Sequence, residues 1–215
     1  MRRSGFNYFL LVFLKITGIL PAIVFFKTKV YYEDRSVQGL WLKRPCILMS
    51  NHTSLLDFVL YEFLFYFQKI RFLMAEVLFK KSKFFAWFLR ALGGIYVNRD
   101  NVNYDFVGES LNTLDNKGIV GIFPQGRLPI NGRPFPFKPG IVYVALRTDA
   151  PIIPVCTDGN YGIFKRAHVI IGKPIDIHTL SGNAAPEEAD IDGITAMLEK
   201  QNDRLFCMLK ERIKK

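Results

Sequence analysis

The chain has 215 residues, half of them hydrophobic and 14% aromatic, with a formal net charge of +10. This length suits one sizeable core and is too short for two comfortable domains. Basic charge combined with abundant phenylalanine favours contact with a membrane leaflet, which has an anionic surface and an apolar interior. Nucleic acid is the competing partner for the charge. We predict no nucleic-acid partner, because no zinc-finger spacing or aromatic RNA-binding signature accompanies the charge.

The cysteines and two of the histidines give little indication of a metal or catalytic site. Cys46, Cys156 and Cys207 are odd in number and scattered along the chain. They form neither a disulfide framework nor a metal cluster, which favours a reducing compartment and predicts no metal site. His168 and His178 are isolated and are interpreted as ordinary surface or packing residues.

Residues 6–26 are strongly apolar. As one helix they would span about 30 Å, close to the thickness of a bilayer core. Lys15 near the middle, together with Gly18 and Pro21, argues against a simple span, because a charge there costs about 3 kcal/mol and proline kinks a helix. Basic residues flank both ends, which favours both ends on the cytoplasmic side. We predict a helical hairpin that dips into one leaflet. A single spanning helix and a cleaved signal peptide are the alternatives.

After residue 28, short apolar runs alternate with segments of helical length. The predicted strands are 30–32, 46–49, 71–75, 94–97, 119–123, 152–155 and 169–171. The predicted helices are 54–67, 79–92, 104–116, 140–147 and 191–213. This alternation predicts an α/β fold with a mixed central sheet flanked by helices. We therefore divide the chain into a membrane-associated hairpin, residues 1–28, and one domain, residues 29–215.

The predicted helix over residues 79–92 mixes lysine and arginine with phenylalanine and tryptophan. Such a mixture suits a helix that lies in the headgroup region of a membrane. An ordinary core helix with a solvated basic edge would show the same composition, and this alternative stays open.

The most informative stretch is residues 50–57, Ser-Asn-His-Thr-Ser-Leu-Leu-Asp. It joins a predicted strand to a predicted helix, so His52 should lie at an exposed turn on a rigid support. A neutral histidine is the commonest acceptor of a proton near neutral pH. Asp57 could accept a hydrogen bond from one ring nitrogen, fix the tautomer and stabilise the imidazolium that forms.

The same residues are equally compatible with a purely structural role. Ser54 and Asp57 fit a capping box, in which Asp57 also interacts with the helix dipole. His52 would then be a hydrogen-bonded residue of the turn. The spacing alone is compatible with both interpretations.

Three further stretches follow in order. Gly93–Arg99 ends in arginine, Phe123–Gly126 reads Phe-Pro-Gln-Gly, and Pro151–Val155 reads Pro-Ile-Ile-Pro-Val. With residues 51–57, they resemble in order and spacing the four motifs of the glycerolipid acyltransferases, the lysophosphatidic acid acyltransferase superfamily. The third motif departs from the family pattern. Gln125 replaces the usual glutamate, while Arg127 and Leu128 stand where threonine and arginine are usual.

The resemblance implies an acyltransferase that moves a fatty acyl group from a thioester to the free hydroxyl of lysophosphatidic acid, giving phosphatidic acid. His52 would remove the hydroxyl proton and Asp57 would orient His52. No cofactor is implied beyond the acyl donor, which is a thioester of acyl carrier protein or coenzyme A. The basic surface would attract either donor.

The resemblance also implies membrane lipids and a lysophospholipid acceptor as partners, and an N-terminal membrane-docking helical pair. We expect the protein at the cytoplasmic face of a membrane, monotopic or single-pass. Two other functions stay open. One is acylation of a different lysolipid acceptor, and the other is a non-catalytic membrane lipid-binding protein of the same fold.

The predicted substrate-binding residues are Asn51, Arg99, Gln125, Gly126 and Arg127. Arg99 matches the family arginine, and a guanidinium fork suits the oxygens of a phosphate. Arg127 does not align with the arginine of the third motif, so its phosphate-binding role is a separate inference. A solvated surface charge is the alternative for both arginines.

Overall fold

The structure is a computed structural model that describes residues 7–98, 105–182, 186 and 188–215. The strands are β1 Lys29–Tyr32, β2 Cys46–Ser50, β3 Ile70–Ala75, β4 Ile95–Val97, β5 Ile119–Ile122, β6 Ile152–Thr157 and β7 His168–Ile171. The helices are α1 Tyr8–Phe26, α2 Asp57–Leu64, α3 Glu76–Lys80, α4 Lys83–Ala91, α5 Asp105–Asp115, α6 Gly140–Ala145, α7 Ile177–Leu180 and α8 Ile191–Lys214.

The strands form one sheet in the order β1-β7-β6-β2-β5-β3-β4. Strands β2 to β6 run parallel to one another. Strand β7 is antiparallel to β6 and parallel to β1. The predicted α/β fold with a mixed central sheet is therefore confirmed.

The central strands are apolar at nearly every position because both faces of the sheet are covered. In β2, Cys46 and Leu48 pack beneath α1, α2, α3 and α4, whereas Ile47 and Met49 pack against α5, α6 and α8. The three adjacent strands β6, β2 and β5 are parallel, so their carboxyl ends lie at the same edge. In open α/β sheets, ligands bind beyond this edge.

Helix α1 corrects the predicted hairpin. One continuous helix runs from Tyr8 to Phe26 and includes both Gly18 and Pro21. Gly18 lies where α1 crosses α2, and a Cβ there would come within 2.6 Å of the Phe63 ring. Glycine therefore lets the two helices approach closely. Pro21 forgoes one helical hydrogen bond, but the next buried positions, Ala22 and Phe26, pack into the core and hold the helix in place.

Lys15 ties α1 to the rest of the molecule. Its ammonium lies 2.9 Å from the Glu62 carboxylate on α2, and both side chains are buried. The same ammonium donates hydrogen bonds to the Tyr66 and Gln68 carbonyls, at 3.1 and 2.7 Å. Burial raises the pKa of Glu62 to about 7, even with Lys15 beside it. The residue that argued against a membrane span is thus the one that docks the helix.

The two ends of α1 are also attached. The Asn7 amide donates to the Ala91 carbonyl at the end of α4, at 2.8 Å. At the other end, Phe26 accepts from the Ala167 amide at 2.8 Å. The outward face of α1 stays apolar and exposed along its length, at Phe9, Phe13, Ile16, Leu20, Ile23 and Val24.

The other differences from the sequence predictions are local. The predicted helix over 79–92 is two helices, because Ser82 caps α4 by accepting from the Phe85 amide at 3.1 Å. Helix α2 is shorter than predicted and begins at Asp57. The short helix α7 had no counterpart among the predicted elements.

Lys15→Met should destabilise the protein by about 3 kcal/mol, because removing one partner leaves a buried, uncompensated acid. The double variant Lys15→Met/Glu62→Leu should recover most of this loss, since neither charge then remains. Thermal unfolding in detergent measures both. A single variant as stable as wild type would contradict the docking role of the pair.

Candidate active site

His52 and Asp57 lie together at the carboxyl end of β2. The distance from His52 Nδ1 to Asp57 Oδ2 is 2.8 Å. Asp57 is the first residue of α2 and its side chain is fully buried, whereas the His52 side chain is 15% exposed. The contact occupies Nδ1 and leaves Nε2 as the nitrogen that can take a proton from a ligand. A general base needs this arrangement.

The Asp57 carboxylate accepts hydrogen bonds from the whole turn around it. The Thr53 and Ser54 amides donate to Oδ2 at 2.6 and 2.9 Å. The Thr53 hydroxyl and the Tyr161 hydroxyl donate to Oδ1 at 2.8 and 2.6 Å. A buried charge needs such donors, and the N-terminus of α2 adds a favourable dipole. These donors therefore compensate the buried charge of the carboxylate and fix its orientation.

The capping alternative is only partly realised. The residue before α2 is Leu56, which makes no side-chain cap, and the Ser54 hydroxyl accepts from the Leu56 amide at 3.2 Å. Asp57 does reach back to the Ser54 amide, as the acid of a capping box would. One carboxylate thus organises the turn and holds His52.

Aromatic stacking fixes the plane of the His52 ring. Phe123, which follows β5, stacks on His52 with a centroid separation of 4.4 Å and an interplanar angle of 18°. Phe72 on β3 also stacks on Phe123, with a centroid separation of 5.5 Å. This column of rings leads from the dyad into the apolar layer beneath α1 and α2.

Asn51 makes two backbone contacts in the structure, and its predicted substrate contact stays a prediction. Its amide nitrogen donates to the Thr157 carbonyl, and its amide oxygen accepts from the Thr157 amide, both at 2.9 Å. Asn51 therefore joins the end of β2 to the end of β6. Gln125 is also buried, and its amide oxygen accepts from the His52 amide at 2.7 Å. It holds the backbone of the histidine.

The remaining predicted residues are Gly126, Arg127 and Arg99. Gly126 has a φ of +63° and donates to the Phe123 carbonyl at 2.9 Å, so it forms the tight turn that directs Gln125 toward His52. Arg127 is exposed, with its guanidinium 5.9 Å from the Phe135 ring centroid. Arg99 lies outside the described residues. The phosphate-binding role of both arginines stays a prediction.

Tyr161 is the site residue that the sequence did not reveal. Its hydroxyl bonds Asp57 and lies 3.2 Å from the Thr157 hydroxyl. Burial and the adjacent Asp57 carboxylate raise the pKa of Tyr161, so the hydroxyl keeps its proton and donates it. The only feature of the sequence that pointed to Tyr161 was its position shortly after the fourth motif.

His168 is more than an isolated packing residue. Its Nδ1 lies 2.7 Å from the Asp158 carboxylate, and its amide donates to the same side chain at 3.0 Å. This pair closes the base of the loop that carries Tyr161 to the dyad.

Comparisons with known proteins identify the family to which the chain belongs. A family model described as Acyltransferase matches residues 27–158. The chain belongs to the acyltransferase family. It is 28% identical over 187 residues to the 1-acyl-sn-glycerol-3-phosphate acyltransferase of Saccharomyces cerevisiae, covering 79% of this chain and 57% of that protein. It is 30% identical over 130 residues to the human 1-acyl-sn-glycerol-3-phosphate acyltransferase beta, covering 58% and 45%. The chain thus spans about half the length of these curated relatives.

The fold of this chain also resembles a solved structure. The crystal structure of the 1-acyl-sn-glycerophosphate acyltransferase from Thermotoga maritima superposes with a TM-score of 0.59 and 20% identity. The match covers 91% of this chain and 78% of the other. This likeness shows that the two proteins share a fold, and the family model confirms the predicted family.

Tyr161→Phe should lower the kcat/KM of acyl transfer about ten-fold, because it removes one of the donors that hold the Asp57 carboxylate in place against His52. The ring, which packs on Phe26, is kept. The measurement is kcat/KM, with thermal unfolding as the control. Unchanged turnover in a folded variant would show that this hydrogen bond does not position Asp57.

Proposed function

We propose that the chain transfers an acyl group from an acyl thioester to the hydroxyl of lysophosphatidic acid and forms phosphatidic acid. The observation that carries the proposal is the 2.8 Å contact between His52 Nδ1 and the buried Asp57 carboxylate in a member of the acyltransferase family. The acceptor is supported by the names of the relatives, which are 1-acyl-sn-glycerol-3-phosphate acyltransferases.

In the proposed reaction, His52 Nε2 removes the proton from the acceptor hydroxyl as its oxygen attacks the thioester carbonyl. The tetrahedral intermediate collapses, the carbon–sulfur bond breaks and the thiolate takes the proton from Nε2. The products are an ester and a free thiol. Asp57 stabilises the imidazolium between the two steps. The steps use side chains of this chain alone, and the acyl donor enters as a substrate.

An apolar cavity of about 310 Å³ is proposed to take the acyl chain. It lies between α1, α2, β3 and α4, and one of its walls is Phe72, the last ring of the column that begins at His52. The polar groups of the Lys15–Glu62 pair face part of it. The apolar lining residues are Leu11, Leu14, Phe58, Val59, Phe63, Ile70, Phe72, Met74, Phe88 and Leu92.

The membrane attachment is proposed to be monotopic. Tyr8–Phe26 is long and apolar enough to cross a membrane. Crossing would, however, pull the Lys15–Glu62 pair apart and undo the contacts at both ends of α1. The exposed apolar face of α1, with Phe84 and Trp87 on the basic helix α4, would instead lie in one leaflet. The free cysteines and the basic flanks favour the cytoplasmic leaflet.

The acceptor phosphate is proposed to meet Arg99 and Arg127, whose guanidinium groups suit phosphate oxygens. Arg127 follows β5, which pairs with β2 and ends at the same edge of the sheet as the dyad. Gln125 contributes through the His52 backbone, and Gly126 through the turn between Gln125 and Arg127.

The function is tested with the purified full chain, lysophosphatidic acid and either acyl-coenzyme A or acyl carrier protein thioester. Thiol release and phosphatidic acid should both appear in wild type. His52→Ala should lower the rate by about two to four orders of magnitude, the usual value of general base catalysis. Asp57→Asn should also cripple the enzyme, because the amide lacks the charge that stabilises the imidazolium.

Folding of each variant is checked by thermal unfolding. If Asp57 served only to cap α2, asparagine would serve almost as well, and near-normal turnover in Asp57→Asn would contradict the mechanism. No thiol release by wild type with either donor would contradict the proposed function.

The cavity is tested by Val59→Phe, which adds bulk to its wall. The variant should prefer shorter acyl donors than wild type, because long chains then meet the new ring. Competition between donors of different length, followed by mass spectrometry of the products, measures this preference. An unchanged length profile in a folded variant would place the acyl chain elsewhere.

A further inference from the structure

A turn beside the active site carries an exposed apolar tip. It comprises residues 162–166, Gly-Ile-Phe-Lys-Arg, and is closed by a hydrogen bond from the Lys165 amide to the Gly162 carbonyl at 2.9 Å. Phe164 is 99% exposed and Ile163 is 55% exposed, while Lys165 and Arg166 are exposed beside them. The exposure of two adjacent apolar side chains to water costs free energy. Contact with an apolar phase would remove this cost.

The turn is built onto α1. The Gly162 amide donates to the Phe25 carbonyl at 3.2 Å, and the Ala167 amide donates to the Phe26 carbonyl at 2.8 Å. The exposed residues Ile23 and Val24 immediately precede this attachment. The apolar tip is thus joined directly to the end of the apolar face of α1.

Basic side chains accompany the turn. Lys165 and Arg166 belong to it, and Lys27 and Lys29 lie at the end of α1, where the Lys29 amide donates to the Ala167 carbonyl at 2.8 Å. All four side chains are exposed. An apolar tip flanked by cations matches the surface of an anionic leaflet, where each basic residue near the phosphates adds attraction.

The inner side of the same loop touches the dyad. Tyr161 donates to Asp57, and a Cβ on Gly159 would come within 2.6 Å of the Thr53 hydroxyl. The Asp158–His168 pair fixes the base of the loop. The position of the turn is therefore rigidly related to the position of the catalytic groups.

We propose that the 162–166 turn inserts into an anionic lipid leaflet, with the Phe164 side chain among the acyl chains and Lys165 and Arg166 at the headgroup phosphates. The inserted turn holds the mouth of the site against the leaflet that contains the acceptor. The inference rests on the proposed function for its purpose, but insertion itself requires no turnover.

Insertion is measured with the full chain and vesicles of phosphatidylcholine, with and without phosphatidylglycerol. Phe164→Ser should weaken binding to the anionic vesicles about ten-fold, since one large apolar side chain is no longer buried. Met197→Ser is the matched control. Met197 is 49% exposed on α8, on the opposite face of the sheet, and its substitution should leave binding unchanged. Wild-type binding by Phe164→Ser would overturn the proposal.

The depth of the turn is measured directly with Phe164→Trp. Its emission should shift to the blue and be quenched by brominated lipids, relative to wild type, which contains only Trp41 and Trp87. Met197→Trp should show no added quenching. If Phe164→Trp also shows none, the turn does not insert.

The basic residues are tested with Lys165→Ser/Arg166→Ser against Lys200→Ser/Lys210→Ser on α8. Only the first pair should weaken binding to anionic vesicles, and neither should affect neutral ones. A loss of affinity for acyl carrier protein with unchanged vesicle binding would instead make the turn a protein-docking surface and overturn the proposal. Because these readouts need no catalysis, they stand even if wild type releases no thiol.

Discussion

The buried carboxylate of Asp57 is the interaction on which the site depends. A charge removed from water is tolerated only when donors surround it, and here they come from the turn after β2 and the loop after β6. The need to compensate one charge thus draws separate segments together. The same charge orients His52, and in the proposed reaction it would stabilise the imidazolium.

A second buried charge governs the relation of the protein to the membrane. By composition alone α1 could cross a bilayer. Lys15 instead finds its partner Glu62 within the domain, so the helix lies along the domain and turns its apolar face outward. The docked helix forms one wall of the apolar cavity that is proposed to take the acyl chain.

The sequence was most informative where structure is determined locally. Buried parallel strands such as β2 and β5 are continuous apolar runs, and the order of strands and helices follows from them. The turn containing His52 and Asp57 was predictable because its partners are five positions apart. The four ordered motifs led to the family, which the family model confirms.

Roles set by distant partners were not predictable. Gly18 suggested a break in the predicted helix. Its packing against Phe63 was not predictable, because Phe63 is remote in sequence. The amides of Asn51 and Gln125 bond the Thr157 and His52 backbones, which the sequence did not predict. The predicted substrate contacts of both residues stay predictions. Tyr161 contacts Asp57 across 104 positions, and a tyrosine in a loop gives no local sign of that contact.

The central claim is that Asp57 holds the neutral His52 ring with its proton on Nδ1 and its Nε2 free. Nitrogen-15 NMR of histidine-labelled protein distinguishes the two tautomers directly, and the signals of His52 are identified by their loss in His52→Ala. The account predicts a protonated Nδ1 and an unprotonated Nε2 at a pH where the ring is neutral. A neutral His52 that carries its proton on Nε2 would contradict it.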